Sequence, residues 1–238
     1  MNYQLEVCLV ALTLAVGITP SVAAQSQARR TQPMQKGISV ELPVTSNDVP
    51  MPDADQEDAL IVSVTEDGNV YFGVNPISPA ALMEKVKGGL SNRTEKHLYI
   101  KADARTPYAN VVKVLDALRT AGVKAPNLLT AHRDSSEPGT LVPPKGLEVL
   151  VGPPPPAGSE TTVLQVLNSG QRWPMLKIDN NRIPMAALQT TLQRLFQNRS
   201  EKVVLVRAEG VLPFVDVVAV TDICRSTGAT VVLVTLGP

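Results

Sequence analysis

Ile77-Ser78-Pro79-Ala80-Ala81-Leu82 returns as Ile183-Pro184-Met185-Ala186-Ala187-Leu188, a shift of 183 − 77 = 106 residues. At the same shift Asn92-Arg93-Thr94-Glu95-Lys96 becomes Asn198-Arg199-Ser200-Glu201-Lys202, and Pro107-Tyr108 becomes Pro213-Phe214. Val111-Val112 with Val114, Asp116, Arg119 and Gly122 becomes Val217-Val218 with Val220, Asp222, Arg225 and Gly228. An ungapped match over most of a small unit is the mark of duplication. The fold of one unit therefore decides the fold of the chain.

Working outward through the first unit, Leu60-Ile61-Val62-Ser63-Val64 reads as a strand, and Asp67-Gly68 as a tight turn that returns Val70-Tyr71-Phe72 antiparallel to it. Ser78-Pro79 opens a helix, with serine as N-cap and proline at the first helical position. Leu98 to Ala102 is a short buried strand ending at Asp103. Thr106-Pro107 opens a second helix with Val111, Val114, Leu115 and Leu118 inward, and Gly122 stops it. Asn127-Leu128-Leu129-Thr130 closes the unit as a strand. In the second unit Thr162 to Leu167 pairs with Trp173 to Ile178 around Ser169-Gly170. Helix (184–196), strand (203–208), helix (213–227) and strand (231–234) follow. Gly170 to Ile183 is 13 residues and Gly68 to Ile77 is 9, so the second hairpin is four residues longer. The expected class is α+β, with two tandem ββαβαβ units, each a mixed sheet with two helices packed on it.

Five segments result: 1–24 a hydrophobic N-terminal helix, 25–57 an extended tether, 58–132 the first unit, 133–160 a linker and 161–238 the second unit. Val7 to Ala28 carries no charge, and its most apolar part, Val7 to Ile18, is 12 residues long. That length suits the core of a signal peptide, with Val22-Ala23-Ala24 before a cleavage point at Gln25. A helix continued through Pro20 to Ala24 is instead just long enough for a membrane anchor. Both readings put the rest of the chain outside the cytoplasm. The tether is rich in Gln, Ser, Pro and Asp, although Val40, Leu42 and Val44 alternate as an edge strand would. Pro143-Pro144 and Pro153 to Pro156 make the linker stiff, with a short strand read at Leu147 to Val151.

Composition removes several function classes. Twenty-two basic residues balance 22 acidic ones, and aromatics make up 3% of the chain, so no strong field and few stacking platforms are available for nucleic acid. Two cysteines, Cys8 and Cys224, exclude a disulfide scaffold. His97 and His132 have no partner at metal-ligand spacing, and no cofactor or metal is expected. No nucleophile elbow, phosphate loop or nucleotide fingerprint is present, so the chain does not read as an enzyme. Asp103 and Glu209 end equivalent strands. They read as caps of the following turn or helix, with catalysis in a cleft between the units as the rival. Trp173 is expected to pack in the second sheet, and Tyr108 and Phe214 in the cores.

Taken together, Asp67-Gly68, Ile77 to Leu82, Leu98 to Asp103, Pro107-Tyr108 and the Val-rich helix from Val111 to Ala121-Gly122 resemble the periplasmic domain of the ExbD/TolR family. Ser39-Val40-Glu41-Leu42-Pro43 extends the resemblance. At the N-terminus, Leu5-Glu6-Val7-Cys8-Leu9-Val10-Ala11-Leu12 and Pro20 are similar to the family's single membrane helix. Glu6 stands where the family has Asp, while the usual Thr-Pro pair and most of the cytoplasmic tail are missing.

The resemblance implies a bacterial inner-membrane protein with periplasmic domains. It would be a motor or accessory subunit of proton-driven biopolymer transport beside an ExbB/TolQ-like channel. A TonB- or TolA-like protein or peptidoglycan would be the outer partner. It also implies dimerisation, as a homodimer or as an intramolecular pseudo-dimer of the two units. Glu6 would be the proton-coupling carboxylate, since a low-dielectric helix raises a carboxyl pKa. On the residues alone, Glu6 is equally a solvated group ahead of a signal-peptide core. The alternative to the motor is then a soluble periplasmic partner- or peptidoglycan-binding module with a cleaved signal peptide.

Overall fold

The computed structural model describes residues 37–91, 97–132, 143–154 and 161–235. The hydrophobic helix expected over residues 1–24, and with it Glu6, lies outside them. All described residues fall within one compact unit, Pro33–Pro238. The architecture is α+β, with two mixed sheets and, among the described residues, four α-helices.

Along the chain run β1 (Val44–Thr45), β2 (Val49–Pro50), β3 (Leu60–Val64), β4 (Val70–Phe72), β5 (Asn75–Pro76) and α1 (Pro79–Leu90). Then come β6 (Leu98–Ala102), α2 (Tyr108–Thr120), β7 (Asn127–His132), β8 (Lys145–Glu148) and β9 (Leu150–Gly152). The remainder is β10 (Thr162–Leu167), β11 (Met175–Ile178), β12 (Asn181–Ile183), α3 (Leu188–Phe196), β13 (Val203–Ala208), α4 (Phe214–Ser226) and β14 (Thr230–Val234). The first sheet runs β2-β8-β7-β6-β3-β4-β5, with β1 also on β7; the second runs β12-β11-β10-β13-β14-β9. In each sheet the hairpin strand lies parallel to the strand after the first helix, Leu60 opposite Leu98 and Thr162 opposite Val204.

Local chemistry accounts for the elements. Val64 pairs with Val70 across the Asp67-Gly68 turn, and Gly68 sits at φ 82°. Ser78 Oγ accepts the Ala81 N–H at 3.3 Å to cap α1, with Pro79 in its first turn. Gly122 and Gly228 follow the ends of α2 and α4 at φ 91° and 76°, where a β-carbon is strained. Each hairpin adds a short third strand, β5 or β12, so the order in each half is βββαβαβ where the sequence reading had ββαβαβ. The second hairpin returns at Met175 rather than Trp173, and a 3-10 turn (Met185–Ala187) precedes α3.

The apolar faces of α1 and α2 cover Leu60, Val62, Leu98 and Ile100, while those of α3 and α4 cover Leu164, Val166, Val204 and Val206. One continuous core holds both sets. The first sheet has a second core on its other face, where Met51 and Ala54 cover Ile61, Tyr99 and Leu129. This corrects the tether reading. Residues 37–57 bring β1, β2 and the 3-10 turn Pro52–Asp55 onto the sheet, because a few apolar side chains there find an apolar face. The linker also takes part. β8 pairs antiparallel with β7, and β9 pairs parallel with β14, so two strands separated only by Val149 enter two different sheets.

Cys224 lies inside α4's buried face, and burial pushes its thiol up to about 12. Alkylation requires the thiolate. Iodoacetamide should therefore leave Cys224 unmodified in the folded chain and modify it fully in urea, as peptide mass mapping would read.

Candidate functional site

The two halves meet at the loops that lead into α2 and α4. A helix leaves its first backbone N–H groups without partners. Pro107 and Pro213 sit at the cap positions and offer no side-chain cap. The opposite half supplies the acceptors. Tyr108 N–H donates to Leu212 C=O at 2.8 Å, and Ala109 N–H to Gly210 C=O at 2.9 Å. In return Phe214 N–H donates to Thr106 C=O and Val215 N–H to Ala104 C=O, both at 2.9 Å. Each bond maps onto its counterpart by the repeat shift (214 − 108 = 106 and 210 − 104 = 106), and Pro107 bridges Pro213 antiparallel. A β-carbon on Gly210 would come within 2.9 Å of Ala109 Cβ, so the approach needs glycine there.

Tyr108 and Phe214, at 0% and 1% exposure, anchor this junction from inside their cores, as the sequence suggested. Among the described residues the Tyr108 hydroxyl has no hydrogen-bond partner, and burial raises its pKa far above the usual phenol value. An unpaired buried hydroxyl is destabilising, and the equivalent site already holds Phe. Tyr108→Phe should raise the unfolding free energy by about 1 kcal/mol, measured by urea denaturation. A loss of similar size would mean the hydroxyl is bonded.

Asp103 and Glu209 serve as turn holders. The Asp103 carboxylate is 4% exposed. It accepts from Arg105 Nε, Arg105 Nη2, the Arg105 N–H and the Glu41 N–H, at 3.0 to 3.1 Å. The Arg105 guanidinium, followed by these backbone donors, holds its carboxyl below the usual carboxylate range. Arg105 is 54% exposed and also reaches Glu66 at 3.0 Å, so the pair itself contributes little; the two backbone bonds contribute more. A depressed pKa gives stability that is complete above the ordinary value and lost as pH falls through the folded one. Asp103→Asn should thus cost about 1–3 kcal/mol at pH 7, and the gap from wild type should close towards pH 3; urea melts at both pH values check this. Glu209 accepts the Asn168 N–H at 2.7 Å and ties down the second hairpin. Neither carboxylate lines the cavities described for this chain.

The N-terminal segment is clamped by residues the sequence reading did not single out. Asp222 on α4 accepts the Ser46 and Asn47 N–H groups at 3.0 and 2.9 Å. Asp48, with a side chain 1% exposed, faces His132 Nδ1 at 2.9 Å and Lys145 Nζ at 3.7 Å. Thr45 Oγ1 meets Thr130 Oγ1 at 2.8 Å. A first-half segment is thus pinned to a second-half helix. The repeat gave no signal for it, since both copies keep the Asp and the Arg. Asp116 pairs with Arg119 at 3.3 Å, but at the equivalent positions Arg225 turns to Glu148, leaving Asp222 to take the segment.

Three cavities stand out. One of about 490 Å³ lies beside His97, Glu148 and Arg225, where the linker passes between the sheets. One of about 450 Å³ lies at Asn198–Glu201. The largest, about 730 Å³, is beside Trp173. Trp173 is 55% exposed, which corrects the expectation that it packs in the second sheet; the longer hairpin carries it out past the sheet. Among the described residues no group of three or more His, Cys, Asp or Glu side chains is placed to hold a metal ion, and no helix is long and apolar enough to cross a membrane.

Hairpin, helix, strand, helix and parallel strand, with a preceding segment laid on the sheet, define a small α+β domain. Residues 24–133 match the sequence model of the biopolymer transport protein ExbD/TolR. The Tol-Pal system protein TolR of Pseudomonas aeruginosa is 29% identical over 112 residues, 42% of this chain and 76% of that protein.

Proposed function

We propose that the chain is an envelope accessory subunit of biopolymer transport in which two tandem ExbD/TolR-like domains act as a built-in pseudo-dimer beyond the inner membrane. The observation that carries the reading is the family match over residues 24–133 together with a second half that repeats its sequence and element order. The four reciprocal bonds at the helix starts support the pseudo-dimer, since an interface that maps onto itself is the signature of two-fold pairing. An ExbB/TolQ-like channel is the membrane partner. A TonB- or TolA-like protein or peptidoglycan is the outer one. The chain acts by gripping and transmitting force, without catalysis.

Two forms of this role differ at the N-terminus. In the motor form residues 1–24 remain as an anchor and Glu6 titrates in the bilayer. In the adaptor form they are cleaved and a soluble periplasmic module remains. The 12-residue apolar run from Val7 to Ile18 favours cleavage, being shorter than the roughly 20 residues a span needs. Terminal sequencing of the mature protein, with detergent co-purification of an ExbB/TolQ-like protein, tests both. An intact N-terminus with the channel bound establishes the motor form. A chain beginning at Gln25 and free of membranes eliminates it. An isolated cell-wall pulldown no better than that of an unrelated domain would remove peptidoglycan as the adaptor's partner.

A further inference from the structure

The groove at Trp173 belongs to the second half alone. In the first half the short hairpin turns at Gly68, and a β-carbon there would run into the Asn110 side chain, so its tip lies directly on α2. In the second half the longer loop stands clear and is internally braced. Asn168 Oδ1 accepts the Gly170 N–H at 2.9 Å, Ser169 Oγ accepts the Gln171 N–H at 3.1 Å, and Ser169 Oγ–H donates to Trp173 C=O at 2.6 Å. Glu209 fixes the loop's base through the Asn168 N–H. An exposed indole on a braced loop is prepared for contact, because little order remains to be gained on binding.

The walls say what it would take. Trp173, Pro174, Met175, Ile183, Met185 and Ile223 give an apolar trough of about 730 Å³, within the range of ligand sites. Arg182 is the one charged residue lining it. The Arg172 guanidinium lies 5.6 Å from the Trp173 ring centroid. The trough therefore carries a cationic rim and no carboxylate. We propose that this groove docks a peptide segment of a partner protein that places apolar side chains in the trough and an acidic side chain against Arg182. A concave, preformed trough fits side chains projecting from a chain, whereas a bilayer surface would require a convex apolar tip. The charge complement selects acidic over basic partners. The proposal rests on the groove itself and stands apart from the envelope reading, which co-purification with a channel tests separately.

The experiment pans a random dodecapeptide phage library on the full chain, with prior depletion on the Arg182→Glu variant. Arg182 is exposed, so the variant should fold, and circular dichroism checks that it does. Enriched peptides should combine Asp or Glu with Leu, Ile, Met or Pro. A fluorescein-labelled copy of one should bind wild type at least tenfold more tightly than Arg182→Glu by anisotropy. The unlabelled peptide should shift the emission of Trp173, the chain's single tryptophan, to the blue. Three outcomes overturn the proposal: no enrichment, enriched peptides without acidic residues, or equal binding to the variant. A blue shift produced by phosphatidylglycerol vesicles but by no peptide would also overturn it, and would assign the groove to a lipid surface.

Discussion

Gly146→Val should lower the unfolding free energy by about 3 kcal/mol, at the upper end of what overpacking usually costs. A β-carbon at this position would lie 2.3 Å from the Leu128 carbonyl oxygen and 2.7 Å from the Met51 sulfur. The methionine tip can swing away, but the carbonyl belongs to β7 and cannot. Relief would require β8 to leave β7. Because β8 also pairs with β2, and the Met51 N–H donates to Pro144 C=O at 2.6 Å, the second core would open with it. Urea denaturation should show the loss, and hydrogen exchange should show faster turnover at residues 45–51. Gly88→Ala is the control. No heavy atom lies within 4 Å of its would-be β-carbon, and alanine in a helix should stabilise by up to about 1 kcal/mol. If Gly146→Val stays within about 0.5 kcal/mol of wild type, as an ordinary surface change would, then β8 is not docked as described.

Elements with local punctuation were legible from the residues. Asp67-Gly68, Ser78-Pro79 and Gly122 each act within a few residues, so the sequence contains the whole interaction. The α4 helix is the opposite case. Val215, Val217, Val218 and Val220 are weak helix formers, and its repeat counterpart made the reading possible. The structure shows what overrides propensity: carbonyls of the other half cap the first turn, and Val217, Val218 and Val220 pack into the shared core. The second core was missed because its cover consists of isolated apolar residues in a polar stretch. Yet its signature was present. Leu60-Ile61-Val62 and Leu98-Tyr99-Ile100 are continuous apolar runs, buried on both faces, whereas Thr162 to Leu167 alternates between buried and half-buried. A continuous run marks a strand covered on both sides. Of the site residues, Asp103 was found as a turn holder, since its bond from the Arg105 N–H is local, whereas Glu209 holds Asn168, 41 residues back, rather than capping the loop after it. Asp48 and Asp222 act across more than 75 residues of chain, and nothing near them in sequence announces it.

The Phe214→Ala variant tests whether the halves are one cooperative body. Phe214 is 1% exposed and starts α4 at the junction. Removing a buried ring of this kind costs about 3–5 kcal/mol. Where that loss appears is the informative part. If the halves fold independently, Trp173 emission in the second half should shift its urea midpoint, while the Val62 and Ile100 amides of the first keep theirs. The structure argues otherwise on four grounds: reciprocal caps at α2 and α4, one core shared by both halves, the Asp222 clamp on Ser46 and Asn47, and β8 and β9 entering separate sheets across the single residue Val149. Each makes ordering of one half conditional on the other. Coincident midpoints by fluorescence and by hydrogen exchange, both displaced in the variant, are therefore expected of a two-state body. That coupling would also suit the force-transmitting role proposed above, since load on the N-terminal segment would then reach both halves at once. A displaced second half beside an unmoved first half would refute both the coupling and the pseudo-dimer drawn from it.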